Sequence, residues 1–374
     1  MVLAAFDVRM DSTKYDTIIN VEGQHLYPGF IAPNSRLGLV EIDAVRASRD
    51  FDDVGEMNPH VRSLTAFNTE SRITPTIRTN GVLIAEITPR GGRISGSSSI
   101  FELDGWNWED AVLQKDNGIH LNWPSLGRAL GQDNERAKKQ EESYEKDVKQ
   151  LEDFFQEAEA YSKAAYHIEK NIRLEAMKPL FEGKSKVFVH ANRVREITDA
   201  IYFFDAFELE LVLVGGHESW LVVDLLKDRN IPVILRRVHS LPMGQDEDID
   251  LPFKLPAKLQ QKGLLVALEN SGSMEAMGTR NLPFYAGTAV AYGVEKEEAL
   301  KMISLNTAEI LGIDERVGSI EVGKDATLFV SEGDALDMRS NQLSMAFIRG
   351  KSLELTNPQL ELYKKYSKKY SEEN

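Results

Sequence analysis

Apolar and polar positions follow two rhythms along this chain, and the second half shows them most plainly. Short apolar runs at 186–190, 211–217, 231–235 and 264–269 are each bounded by Gly, Pro or charged residues, the pattern of strands buried on both faces. Between and after them, 194–208, 218–229, 283–293 and 295–311 carry apolar residues every three or four positions, which predicts helices. Val82-Leu83-Ile84-Ala85-Glu86-Ile87 is an earlier run of the same buried-strand kind. Strand and helix in regular alternation argue for a parallel sheet covered by helices.

The most periodic stretch is 133–178. Tyr144, Val148, Leu151, Phe155, Ala158, Tyr161, Ala165, Ile168 and Ile172 recur between charged residues, so one amphipathic helix or two in series are expected, with a Gly stop at Gly183. Residues 16–27 read as two short strands around a Gly turn, the segment to about 60 as polar loop, and 61–80 as helical. Gly91 to Ser99 reads as a flexible loop, and no Gly-Lys-Ser/Thr closes it into a phosphate loop. Trp106, Trp108 and Trp123 flank a region of short strands at 111–123 and are assigned to packing rather than ligand stacking. The stretch 357–374 is a polar tail, helical or disordered.

Composition narrows the function. The 374 residues, 42% hydrophobic and 28% charged, suit one large domain plus a smaller one. A net charge of −15 argues against nucleic acid, whose phosphates need clustered Lys and Arg. No apolar run is long enough to span a bilayer, and the first residues show no basic n-region of a signal peptide. The compartment is left open between the cytoplasm and export with a leader removed before this numbering. With no cysteine, thiolate ligands and thiol nucleophiles are excluded.

Two segments carry a family likeness. Pro28-Gly29-Phe30-Ile31 resembles the opening of the amidohydrolase superfamily signature, Pro-Gly-Phe-Ile-Asp-x-His-x-His. Residues 298–312 and 317–328, the latter containing Val317-Gly318-Ser319-Ile320-Glu321-Val322-Gly323-Lys324-Asp325-Ala326, resemble the closing segment of imidazolonepropionase-like amidohydrolases. The resemblance covers roughly residues 18–352. It implies a TIM-type (β/α)8 barrel over 29–317, with the long helical segment 133–178, and a small, incomplete β-sandwich built from 1–28 and 318–356. A doubly wound sheet is the alternative fold, and no dinucleotide fingerprint supports it.

Family members hold one or two divalent metals at the C-terminal mouth of the barrel, where the metal activates a water and polarises a scissile carbonyl. Carried over residue by residue, His190 matches the ligand ending the fifth strand and His217 the ligand of the sixth. The other positions depart from the pattern. Ala32 stands for Asp, Asn34 and Arg36 for the two strand-borne His, Gly272 for the eighth-strand Asp, and Asn192 where close relatives often have a second His. Side chains at i and i+2 of a strand share a face, so Asn34 and Arg36 are expected to aim at one point. Glu218, Glu269, Asn192 and Arg193 are candidate mouth residues, and His239 is a further histidine that could face it. No catalytic residue is assigned.

The resemblance therefore implies a degenerate metal site with no cofactor expected, or else a partly occupied zinc or other divalent ion. It implies an inherited role in hydrolysing carbon–nitrogen bonds of non-peptide, cyclic amides. One reading is an impaired or non-catalytic protein that binds a small molecule or partners an active amidohydrolase relative. The alternative is a divergent hydrolase with a site rebuilt around His190 and His217. A carbohydrate or peptide binder is suggested by the tryptophans alone. A guanidinium inside the mouth needs a carboxylate, so Arg36 is expected to pair with Glu269, Glu86, Glu102 or Glu218.

Overall fold

The computed structural model describes residues 17–126 and 134–371. Strand β1 (His25–Pro28) belongs to a small antiparallel sheet. The chain then enters the barrel through β2 (Phe30–Ser35), β3 (Val82–Ile87), β4 (Ile94–Glu102), β5 (Val112–Asn122), β6 (Lys186–Ala191), β7 (Leu211–Gly215), β8 (Val233–Leu235) and β9 (Val266–Leu268). These eight pair in sequence order, and β9 comes back beside β2, which gives a TIM-type barrel. The chain returns to the small sheet through β10 (Leu328–Ser331), β11 (Leu343–Ile348) and β12 (Lys351–Ser352), so both ends of the chain build it, in the order β1-β10-β11-β12.

The barrel has one irregular strand. β4 runs antiparallel to both β3 and β5, while the other neighbours are parallel. The flexible loop expected at 91–99 is, from Ile94 onward, a fully buried strand. Gly and Ser are there because the barrel wall and its flanking layer leave little room. At Gly96 (φ +132) a Cβ would come within 2.3 Å of the Val61 carbonyl. The serines find partners: Ser95 donates to the Gly91 carbonyl, Ser98 to Glu86, and Ser99 accepts the Asp116 N–H.

Inside the barrel, Ile31, Ile84, Ile100, Phe188, Val212, Val214, Ile234 and Ala267 form one apolar layer. Ala308, Ile310 and Leu311, from the helix Leu305–Leu311, close it from the N-terminal ends of the strands. That plug is tied down by Asn306, which donates to the Val266 carbonyl, and by Lys186, which donates to the Ile310 carbonyl. The C-terminal ends of the parallel strands stay free for chemistry.

The periodic segment resolves into two helices, Asn134–Lys163 and Ile172–Phe181, and the second is capped by Asn171, which accepts from the N–H groups of Arg173 and Leu174. Residues 295–311 split into helices at Lys296–Lys301 and Leu305–Leu311, and a helix at Leu251–Gln260 went unforeseen. Among the described residues of 16–27 only β1 is a strand. The region 111–123 is one long strand rather than several. The tail forms a helix, Pro358–Ser371. Among the described residues no helix is long and apolar enough to cross a membrane. The expectations for the chain start fall on residues before 17, outside the described part.

Candidate functional site at the barrel mouth

Strand alternation builds the site directly on the apolar layer. Two residues beyond Ile84 comes Glu86, two beyond Phe188 comes His190, and two beyond Ala267 comes Glu269. β5 adds His120, whose ring lies parallel to Phe188 with centroids 4.6 Å apart. β2 adds Asn34, three residues beyond Ile31. Its φ of +50 and the register shift between Ala32 and Ser35 absorb the odd step.

Glu86 is fully buried and surrounded by donors. It accepts the Asn34 N–H at 3.0 Å, the Ser98 hydroxyl at 2.7 Å and His120 Nε2 at 3.3 Å. Burial pushes its carboxyl up, but these bonds, His120 foremost, outweigh it and hold Glu86 below the usual carboxylate range. With Glu86 ionised, His120 Nε2 carries the hydrogen and Nδ1 accepts. Its partner there is His190 Nε2, at 3.0 Å. Both imidazoles are held below their ordinary value: by burial first, then for His190 by His120 and Arg90, and for His120 by Arg90, against the opposing pull of Glu86. His190 as a residue is partly buried; His120 is fully buried.

Glu269 behaves oppositely. It accepts from Asn34 Nδ2 at 2.5 Å and from the Ser271 hydroxyl, yet burial, with the Glu275 charge added, pushes it up to about 7. Above the ordinary value of 4.5 the unfolded chain releases this proton while the folded protein keeps it until about 7. Wild type is therefore expected to lose stability relative to Glu269→Gln as pH rises through that window, by roughly 3 kcal/mol. Urea titrations of both proteins across pH 4–8 check this, and parallel curves would refute it.

The mouth also holds cations. Arg90, in the turn between β3 and β4, donates through Nη1 to Asn34 Oδ1 (2.7 Å) and through Nη2 to the Asn34 carbonyl (2.8 Å) and Glu275 Oε1 (2.7 Å). Arg36 does not pair with Glu269, Glu86, Glu102 or Glu218. Its Nε lies 3.2 Å from Glu275 Oε2, without hydrogen-bond alignment, and its guanidinium covers the Phe51 ring. Of the four expected partners, Glu102 takes Arg349, Glu86 takes His120, Glu269 takes Asn34 and Glu218 caps a helix. Asn34 and Arg36 still converge, but on the Arg90–Glu275 pair and not by simple alternation, since Asn34 is left-handed. Arg90 went unnoticed because its segment reads as loop.

The remaining expected residues lie around this cluster. His190 and His217 end adjacent strands, but His190 bonds His120 while His217 Nε2 meets Glu247 Oε2 at 2.7 Å, a carboxylate that also accepts the Met243 N–H. Glu218 accepts the Val194 N–H at the start of the helix Val194–Ala206, and the N–H groups of Asn192 and Arg193 bond Glu196. His239 faces Thr288 and Tyr285. Gly272 has φ +107, and a Cβ there would sit 3.4 Å from Arg237 Nη2. Trp123 is core, with its Nε1–H donating to Tyr144; Trp106 is solvent-exposed. A cavity of about 760 Å³ lies at the other end of the barrel, among Lys186, Leu211, Pro232 and Leu264, away from this chemistry.

At the positions matched to the family's ligands the donor set is thin. Of the matched positions only His190 and His217 are good donors, and each spends Nε2 on a protein partner. A cationic Arg90 holds Asn34, and Arg237 faces Gly272, so a divalent ion would meet fixed positive charge at two ligand positions.

The fold defines a class, the amidohydrolase-type barrel. Over 94% of this chain and 92% of the other, it matches the crystal structure of an amidohydrolase from Thermotoga maritima MSB8, with a TM-score of 0.81 at 24% identity. A Xaa-Pro dipeptidase with bound methionine matches less closely, with a TM-score of 0.52 at 13% identity over 92% of this chain and 90% of that one. Residues 261–356 match the amidohydrolase family. Imidazolonepropionase from Syntrophobacter fumaroxidans (strain DSM 10017 / MPOB) is 36% identical over 77 residues, which span 20% of this chain and 18% of that relative. The resemblance to amidohydrolases read from the opening and closing segments is borne out.

Proposed function

We propose that this is an amidohydrolase-type protein that has lost metal-assisted hydrolysis and binds a small polar molecule bearing an amide or carbonyl group at its barrel mouth. The carrying observation is Arg90, whose guanidinium binds Asn34 and Glu275 where the family gathers its ligands. Carbon–nitrogen bond hydrolysis is the chemistry of the lineage it resembles, which sets the substrate class. Protein prepared without added metal is expected to carry zinc well below one per chain by elemental analysis. Zinc near one per chain, lost on His217→Ala, would overturn the reading. The triple change Asn34→His, Arg36→His, Gly272→Asp should still bind zinc poorly, because Arg90 remains and a side chain at 272 is strained (φ +107). Between a binder that partners an active relative and a rebuilt hydrolase, the chain of contacts from Glu86 through His120 to His190 favours the hydrolase.

A further inference from the structure

We infer that Glu86, His120 and His190 form a metal-independent relay in which His190 is the general base for water attack on the carbonyl carbon of a small amide. The inference goes beyond the reading above and rests on it for the metal-free mouth and the substrate class.

Hydrogen-bond direction carries the first part of the argument. Glu86 is met by a main-chain N–H and a hydroxyl besides the imidazole, so it acts as acceptor and His120 Nε2 donates. His120 Nδ1 is then an acceptor, and His190 Nε2 must supply the hydrogen between the rings. The lone pair of His190 is left on Nδ1. Position carries the second part. Three strands bring the groups together at the apolar layer, with Glu86 and His120 fully buried and His120 in register with Phe188 and stacked on it. His190, the terminal member, is the one that is only partly buried. A fixed acid orients a buried imidazole, which orients a partly buried one, the same logic that makes a serine-protease histidine a base.

As the water oxygen bonds to the carbonyl carbon, one water proton passes to His190 Nδ1 and the carbonyl π pair moves onto oxygen. The Nε2 hydrogen of His190 shifts toward His120 Nδ1, which spreads the new charge toward Glu86 without making Glu86 take the proton. Collapse re-forms the carbonyl and breaks the C–N bond. The leaving nitrogen takes the proton back from His190, giving a carboxylic acid and an amine. His190 is the catalytic residue here; His120 and Glu86 are positioning residues.

The test uses the full chain after EDTA dialysis, with p-nitrophenyl acetate as a small activated acyl probe. His190→Gln, at the partly exposed position, should lower turnover at least tenfold relative to wild type and to the control His25→Gln, consistent with the range for a positioned general base. His120→Gln should lower kcat with KM held within about twofold, and should add little in the His190→Gln background. Nitrogen-15 spectra of the histidines should show both rings protonated at Nε2, a signature that loss of packing alone would not produce in wild type. Wild-type turnover no faster than His190→Gln, or rings protonated at Nδ1, overturns the relay while leaving the metal-free mouth intact. Turnover that appears only with added zinc, with zinc near one per chain, overturns the relay and the metal-free reading together.

Discussion

Arg90→Ala is expected to destabilise the fold by roughly 3–5 kcal/mol, the range for leaving a buried charge without its partner. The guanidinium side chain is 20% exposed against 4% for Glu275, so solvent screens the pair only weakly. Removing it strips donors from Asn34 Oδ1, the Asn34 carbonyl and Glu275 Oε1 together. Arg36 cannot compensate. Its Nε approaches the other Glu275 oxygen at 3.2 Å out of line, and its second contact, to the exposed Asp43, is 4.0 Å long. Lysine at 90 should rescue little, since one ammonium cannot span three acceptors with the planar fork of an arginine. In a double-mutant cycle, Arg90→Ala with Glu275→Gln should cost well under the sum of the single changes. Additive losses, or an unchanged Tm for Arg90→Ala, would remove Arg90 from its central place.

Phe155→Ala is expected to cost about 3–5 kcal/mol, the usual loss for a buried phenylalanine. Phe155 is completely buried, with its ring centroid 5.4–5.5 Å from those of Phe203, Phe204 and Phe207 and 6.5 Å from Phe181. It anchors the helix Asn134–Lys163, whose Tyr144 accepts the Trp123 N–H and donates to Asp199. Trp123 directly follows β5, the strand that carries His120, so the change should also loosen one wall of the mouth. Urea denaturation measures the loss, and hydrogen exchange at β5 should rise. A loss under about 1 kcal/mol would mean that the aromatic cluster closes over the gap.

The parallel strands from β6 onward and the helices that follow β6 and β7 are legible because each repeats one local pattern, whereas the helix Leu251–Gln260 between β8 and β9 is not. His190 and His217 were found because each ends such a strand. β4 was missed because a strand packed on both faces in tight space uses Gly and Ser, the residues that also signal loops. His120 had no ligand spacing to mark it. Its meaning comes from Glu86, 34 residues away, and His190, 70 residues away. Arg36 was rightly expected to seek a carboxylate, but Glu275 could not be chosen from sequence, because a short helix at Glu275–Gly278 carries it back over the mouth.

The reversed strand has a consequence for how the protein is made. β3, β4 and β5 form a local meander, and Ser98 meets Glu86 across only 12 positions, whereas Asn34 and Glu269 are 235 apart. By loop-closure entropy the longer link costs roughly 2–3 kcal/mol more to form. During synthesis, Glu86, Ser98 and His120 can therefore assemble on an open, curved wall. Until the chain beyond residue 268 has emerged, the free side of β8 remains an unpaired edge, a hazard for neighbouring nascent chains. The mouth closes last, when β9 brings Glu269 to Asn34.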